Sequence, residues 1–266
     1  MLGSIARSWR ISAKAAGPRN RALAFLLVIH GGLGDHRRWA RKIFKWLIGR
    51  FGEGALVTVG IDVNGRTMRL AMRRDDRADY LVGGEFLNGS HEPPPTKPAR
   101  VVDAGGNIGT FSLAAAARFP GVPIVVYEPD DANAARLKDN LRMNGIEAQV
   151  IEKAVWSRDT RLYFQARDSY TGFVSQDPSQ VEVECVVPDV GENDWLKLDV
   201  EGAEYEVLPA LFDRGALPYF ISLELHHRRA KGDGLIALAR ANGYTVAGPL
   251  EASADCINLT LSRIAR

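Results

Sequence analysis

Residues 101–109 read Val-Val-Asp-Ala-Gly-Gly-Asn-Ile-Gly, and how this stretch is read decides the fold. Arg100–Ala104 is a short apolar run of the length of a buried strand, and Thr110–Phe119 is an alanine-rich helical segment. The glycines between them therefore form a strand-to-helix turn. The dinucleotide fingerprint G-x-G-x-x-G does not fit, because counting from Gly105 puts Asn107 at its second glycine. The loop reads D-x-G-x-N-x-G instead. Gly105 and Gly109 allow close approach of the backbone to a ligand, and Asn107 is the residue type other than glycine that best tolerates a positive φ. The start of the following helix, at Thr110, offers amide groups to a carboxylate, and Asp103 can accept from an ammonium.

Working outward, strand and helix patterns alternate. Pro123–Glu128 reads as a second strand, Asp131–Asn144 as a helix stopped by Asn144-Gly145, and Ala148–Val155 as a third strand. An irregular stretch with a strand-like Glu182–Val187 follows. Trp195–Val200 and Tyr219–Leu225 read as the fourth and fifth strands, with helices at Ala203–Phe212 and Asp233–Asn242, and Thr245–Ala247 and Ile257–Ser262 complete the set. Repeated βαβ units predict an α/β fold: a doubly wound, mostly parallel, seven-stranded Rossmann-like sheet whose ligands bind beyond the carboxyl ends of its strands. Upstream, residues 55–72 alternate around Asn64-Gly65, a strong hairpin signal. A charged helical stretch spans Arg74–Leu87, and the proline-rich NGSHEPPPTKPA marks a boundary near Ala99. The organisation expected is a basic extension at 1–52, a hairpin and helical lead-in at 53–98, and a ligand-binding domain at 99–266.

The 266 residues are 46% hydrophobic and 25% charged, and 26 Gly, 13 Pro and 2 Cys exclude collagen-like and disulfide-framework classes. Cys185 and Cys256 lie far apart without metal-ligand spacing, which fits a reducing compartment and a cytoplasmic location. A net charge of +2 conceals an asymmetry. Residues 1–50 carry eleven Lys/Arg against the single acid Asp35, while the rest carries 23 bases against 31 acids. No run reaches the roughly 18 to 20 apolar residues of a membrane span. The first 21 residues, free of acids, resemble a transit peptide, which would leave them outside the fold. Leu26–Trp39 resembles the strand and oxyanion loop of an α/β-hydrolase, but no serine has the flanking glycines of a nucleophile elbow.

From Arg37 to Phe51 the chain reads RRWARKIFKWLIGRF, with Trp39, Ile43, Trp46, Leu47 and Arg50 at helical spacing and Arg41, Lys42 and Lys45 between them. Two readings fit. The helix can lie on an anionic membrane surface, or it can pack its apolar side inward, where Phe44 and Ile48 widen the apolar face.

Three blocks, VVDAGGNIGTFS (101–112), VYEPD (126–130) and WLKLDVEGAEYEVL (195–208), with FISLELH (220–226), resemble the FkbM family of S-adenosylmethionine (SAM) methyltransferases. The resemblance covers roughly residues 55–262 and leaves the basic extension outside. It implies SAM held by Asp103, Gly105, Asn107, Gly109 and Thr110, with the Glu128 carboxylate on the ribose hydroxyls. It also implies O-methylation of a hydroxyl on a sugar, glycoconjugate or secondary metabolite. Lys153 stands where many such enzymes carry an acid for adenine. The fourth and fifth strands are neighbours in such sheets, which would gather Lys197, Asp199, Glu201, Glu224 and His226 into the catalytic cleft. There His226 or Asp199 can act as a base, or Asp199, Glu201 and Glu224 can hold Mg²⁺. Glu204 and Glu206 are explained by the helix dipole alone, and His227 by the solvated run HHRRAK. Amine-directed methylation and non-catalytic SAM binding are the alternatives. Acids at the cleft disfavour a nucleic-acid substrate, and nothing in the sequence sets the oligomeric state.

Overall fold

The computed structural model describes residues 12–13, 15–31, 38–52, 54–74, 76–88, 91–166, 172–175, 180–250 and 255–263. Its contacts divide the chain into two units.

The first unit takes described residues within 1–90, 108–120 and 135–146. Asn64 and Gly65 have φ of +50° and +77°, the left-handed pair of a two-residue hairpin turn. Strands β1 (Leu56–Val63) and β2 (Arg66–Arg73) therefore pair antiparallel from Val63↔Arg66 to Leu56↔Arg73. Val57, Val59, Ile61, Met68, Leu70 and Met72 are buried, as the apolar/polar alternation requires. Helix α1 (Gly17–Gly31) takes up Leu26–Gly31, the start of the stretch that looked hydrolase-like, whose residues 32–37 lie outside the described ones, and packs against α2 (Arg38–Gly49) and α3 (Arg77–Asn88). Ala15 bridges Ile61, and the Asn20 carboxamide accepts from Gly60 N at 3.0 Å. Described residues from Ser12 onward thus belong to the fold, contrary to the transit-peptide expectation.

Helix α4 (Thr110–Arg118) and the greater part of α5 (Asp131–Met143) complete this unit. A two-stranded sheet leaves an open edge on β2. Two asparagines one helical turn apart close it. Asn140 Oδ1 accepts from Ala71 N at 2.8 Å and its Nδ2 donates to Ala71 O at 3.0 Å and Ile108 O at 2.8 Å. Asn144 makes the same two-bond pair with Arg69, at 2.7 Å each. Side-chain amides here do the work of a third strand.

The second unit, His91–Asn107, Gly121–Ala134 and Glu147–Arg266, holds two sheets. The larger has seven strands in the order β12-β13-β11-β10-β3-β4-β5. These are β3 (Arg100–Ala104), β4 (Ile124–Tyr127), β5 (Gln149–Ile151), β10 (Asp194–Leu198), β11 (Phe220–Leu225), β12 (Thr245–Ala247) and β13 (Ile257–Ser262). Only β13 runs antiparallel to the rest. This is the mostly parallel seven-stranded α/β sheet expected. Helices α6 (Glu204–Asp213) and α7 (Asp233–Ala241) connect its later strands. Val102, Leu196, Ile221 and Val207 are fully buried in its core.

Two expectations are corrected. The third strand does not run through Val155: it ends at Ile151, a turn closes where Lys153 N donates to Ile151 O, and Ala154–Val155 enters the other sheet as β6. That sheet, ordered β6-β9-β7-β8, also contains β7 (Thr160–Ala166), β8 (Gly172–Ser175) and β9 (Val181–Val186), so the stretch expected to be irregular is largely strand. Lys153 spends its charge on this sheet, 2.8 Å from Glu184.

Asn140→Ala leaves three buried main-chain groups without their partner and should cost about 2–4 kcal/mol. Asn144→Ala, at a partly solvated position, should cost under about 1 kcal/mol. Urea denaturation of both variants measures the difference.

Candidate active site

The chain lays β4 and β5 on one side of β3 and then returns to lay β10 and β11 on the other. The carboxyl ends of β3 and β10 therefore flank the point where strand order reverses, where such sheets bind ligands. Two turns meet there, the glycine loop after β3 and the Asp199–Gly202 turn after β10.

The glycine loop is tied down by its own backbone. Gly105 N and Gly106 N both donate to Tyr127 O at 3.0 Å. Gly105, Asn107 and Gly109 have φ of +85°, +48° and +92°, so Asn107 occupies the left-handed conformation anticipated for it. The need for glycine at 105 is different from the one expected. A Cβ there would lie 1.9 Å from the carbonyl oxygen of Asp199, so the residue is kept bare by the neighbouring turn.

Lys197 sits beneath both turns. It is register partner to Asp103 across β10 and β3 and is only 4% exposed. Its Nζ donates to Gly105 O at 2.6 Å and lies 3.0 Å from Asp199 Oδ2 and 3.7 Å from Asp103 Oδ1. Burial alone would lower the ammonium pKa, but the charges of Asp199 and Asp103 outweigh it and raise it. Asp199 responds in kind. Burial would lift its pKa, yet Lys197 and then His226 hold it below the ordinary value.

Glu128 directly follows β4 and is buried. Its Oε2 accepts from Asn107 N at 2.7 Å and its Oε1 from Asp130 N at 2.9 Å. A carboxylate has about four acceptor sites, so a rigidly held pair remains for two vicinal hydroxyls. Burial pushes its pKa up to about 7, against the pull of the two amides. These residues fit the ribose of a SAM-type cofactor.

On the β11 side, His226 is gripped through both ring nitrogens. Nδ1 is 3.0 Å from Glu204 Oε1 and Nε2 is 3.4 Å from Glu201 Oε2. Burial would lower the imidazole pKa, but Cys256, Glu204 and Glu201 push it up to about 12. Glu204 is fully buried at the start of α6 and also accepts from Val200 N at 3.1 Å. It is therefore more than a dipole acid, and the last glutamate of the K-x-D-x-E-G-x-E run was its signal. Glu201 takes a positive φ, +53°. Burial, with Asp199 and Glu224 opposing His226, raises its pKa to about 7. Glu224 accepts from the exposed Cys256 thiol at 3.0 Å. Asp199, Glu201, Glu224 and His226 are thus brought together as expected.

Two groups could converge on a cation: Glu224, His226 and Cys256, and Asp199, Glu204 and His226. Both run through His226, and Cys256 entered from the residue just before β13, which its sequence spacing could not indicate. His91, in the proline-rich linker, is a further residue missed. Burial and the Lys197 charge lower its pKa to about 4 against the pull of Asp199, so it is a neutral imidazole near the cleft. His227 is exposed, as its charged surroundings suggested.

Lys197→Met should destabilise the protein by about 3–5 kcal/mol, because it removes the cation beside the buried Asp103 carboxylate and the partly buried Asp199 carboxylate. Adding Asp199→Asn should recover part of that loss. Thermal melts of the single and double variants check this.

A family model described as the methyltransferase FkbM domain matches residues 103–246, just over half of the chain. The chain is similar to "Methyltransferase 1" of Beauveria bassiana (strain ARSEF 2860), 26% identical over 145 residues. That match covers 42% of this chain and spans 58% of the relative's length. Among solved structures it is similar to the Pyrococcus abyssi tRNA (uracil-54, C5)-methyltransferase in complex with S-adenosyl-L-homocysteine. There the TM-score is 0.44 and the identity 11%, covering 80% of this chain and 45% of that one. It is also similar to precorrin-6y C5,15-methyltransferase from Geobacter metallireducens GS-15, with a TM-score of 0.40 and 14% identity over 63% of this chain and 81% of that one.

Proposed function

Because the chain belongs to the FkbM methyltransferase family, we propose that it transfers a methyl group from SAM to a hydroxyl of a sugar, glycoconjugate or secondary metabolite. The observation that carries the acceptor class is the acidic mouth of the cleft. Carboxylates line the turn after β10, where they can accept from and deprotonate an alcohol and would repel a phosphate backbone.

Bound at Glu128 and the glycine loop, SAM supplies an activated methyl on a good leaving group, so the protein's task is alignment and proton removal. Three groups compete for the role of base. Asp199 is clamped by Lys197 at 3.0 Å, and His226 is engaged at both ring nitrogens. The Asp199 and Glu201 side chains are each a quarter exposed, but among the described residues Glu201 has no ion-pair contact closer than the long 3.4 Å approach of His226. Glu201 is the carboxylate best placed to meet a substrate hydroxyl, with Asp199 orienting it. Its raised pKa supports this, since a base works best when poised near the working pH. Strain at a left-handed glutamate is also what functional turns tend to store. His226 is then a fixed cation that steadies the acids around it.

The deciding experiment is a screen of hydroxyl-bearing and amine-bearing acceptors with methyl-labelled SAM. Label should pass to a hydroxyl; exclusive labelling of amines overturns the O-methyl reading. Turnover should rise as pH rises through about 7, because Glu201 must lose its proton to act. Glu201→Gln should abolish turnover while leaving S-adenosylhomocysteine affinity within about twofold, the mark of a group used only in the chemical step. Glu128→Gln should instead weaken that affinity by about tenfold or more in calorimetry, since one charged acceptor is lost. EDTA should leave the rate unchanged; its abolition by EDTA and restoration by Mg²⁺ would move the cleft acids from base to metal ligand.

A further inference from the structure

Helix α2 carries an apolar face that the fold does not use. Trp39, Ile43 and Trp46 are 69%, 49% and 61% exposed. Their spacing of four and three places them in one stripe along the helix. Burial is met elsewhere on the same helix, by Ala40 and Ile48, while α1 packs against it. Inward packing and an outward aromatic stripe therefore coexist on this helix. The stripe is bordered by cations. Lys42 and Arg50 are exposed, Lys45 is half-buried, and the Arg50 guanidinium lies over the Trp46 ring at 5.2 Å from its centroid. Between residues 37 and 51 there is no Asp or Glu, and residues 1–50 contain only Asp35.

We infer that this face docks onto an anionic lipid surface, with α2 lying in the plane of the headgroups. Tryptophan suits that boundary because its ring is apolar and its N–H polar, and lysine and arginine reach from there to phosphate oxygens. Twelve residues make a helix about 18 Å long, and no helix among the described residues is long and apolar enough to cross a membrane. Contact is thus from one side only. A second copy of the chain is a poorer occupant, because an uninterrupted set of cations would meet its own like charges across a twofold interface.

Sedimentation of the full chain with lipid vesicles tests the inference. Binding to phosphatidylcholine vesicles containing about 30% phosphatidylserine should exceed binding to pure phosphatidylcholine by at least about tenfold and should fall with added salt. Trp39→Ala with Trp46→Ala should reduce it at least about tenfold, and Lys42→Glu with Lys45→Glu should do the same. The tryptophan pair should keep its melting temperature and its S-adenosylhomocysteine affinity, which separates lost docking from lost folding. Absence of vesicle binding, equal binding to both lipid compositions, or binding indifferent to the tryptophan pair overturns the inference. So does a dimer in light scattering that the tryptophan substitutions dissolve, which would assign the face to a second copy.

Discussion

An ammonium group buried between two aspartates sets the geometry of the turns at the carboxyl ends of β3 and β10. Lys197 lies where the two directions of the sheet meet, joined to Asp103 and Asp199 and donating to the Gly105 carbonyl. A charge in that position is tolerable only with close partners. Those partners belong to β3 and to the turn after β10, so satisfying the lysine forces both loops into one arrangement. The requirement extends to Gly105, where the Asp199 carbonyl leaves no room for a side chain. One charge cluster thereby holds the glycine loop and the acidic turn in fixed relation.

Above this cluster a second network runs through His226. Glu204 lies at the start of α6, His226 follows β11, and Glu201 belongs to the turn after β10, so an imidazolium binds three elements with one ring. Its charge offsets acids that would otherwise repel one another at short range. Asp199 is held close by Lys197 at 3.0 Å and His226 is engaged at both ring nitrogens, while Glu201 meets His226 only at 3.4 Å. In the other unit the same economy appears without charge, where Asn140 and Asn144 pair with Ala71 and Arg69 and close the open edge of the hairpin.

Much of this was legible in the residues. The period of two around Asn64-Gly65 placed a hairpin, and the glycine run at 105–109 a strand-to-helix turn, where the structure has them. The second sheet was missed because β6 is two residues long and reads as the tail of β5, and in β7 Tyr163 joins Arg161 and Gln165 on the polar side of the alternation. Glu204 was hidden because an acid at a helix start already has a sufficient local explanation. Asn140 and His91 gave no local signal, since one sits inside a helix pattern and the other in a proline-rich linker.

Local periodicity and turn chemistry determined by themselves the α/β class, and three sequence blocks carried the resemblance to the family. They could do so because each depends on neighbours within a few positions along the chain. Tertiary structure alone decided which side chains meet and which stay exposed. It set Lys197 against Asp103 and Asp199, placed His226 between Glu201 and Glu204, brought Cys256 beside Glu224, and turned Trp39, Ile43 and Trp46 outward. Charge state and exposure are set by groups distant in sequence and close in space, which no reading of a linear order contains.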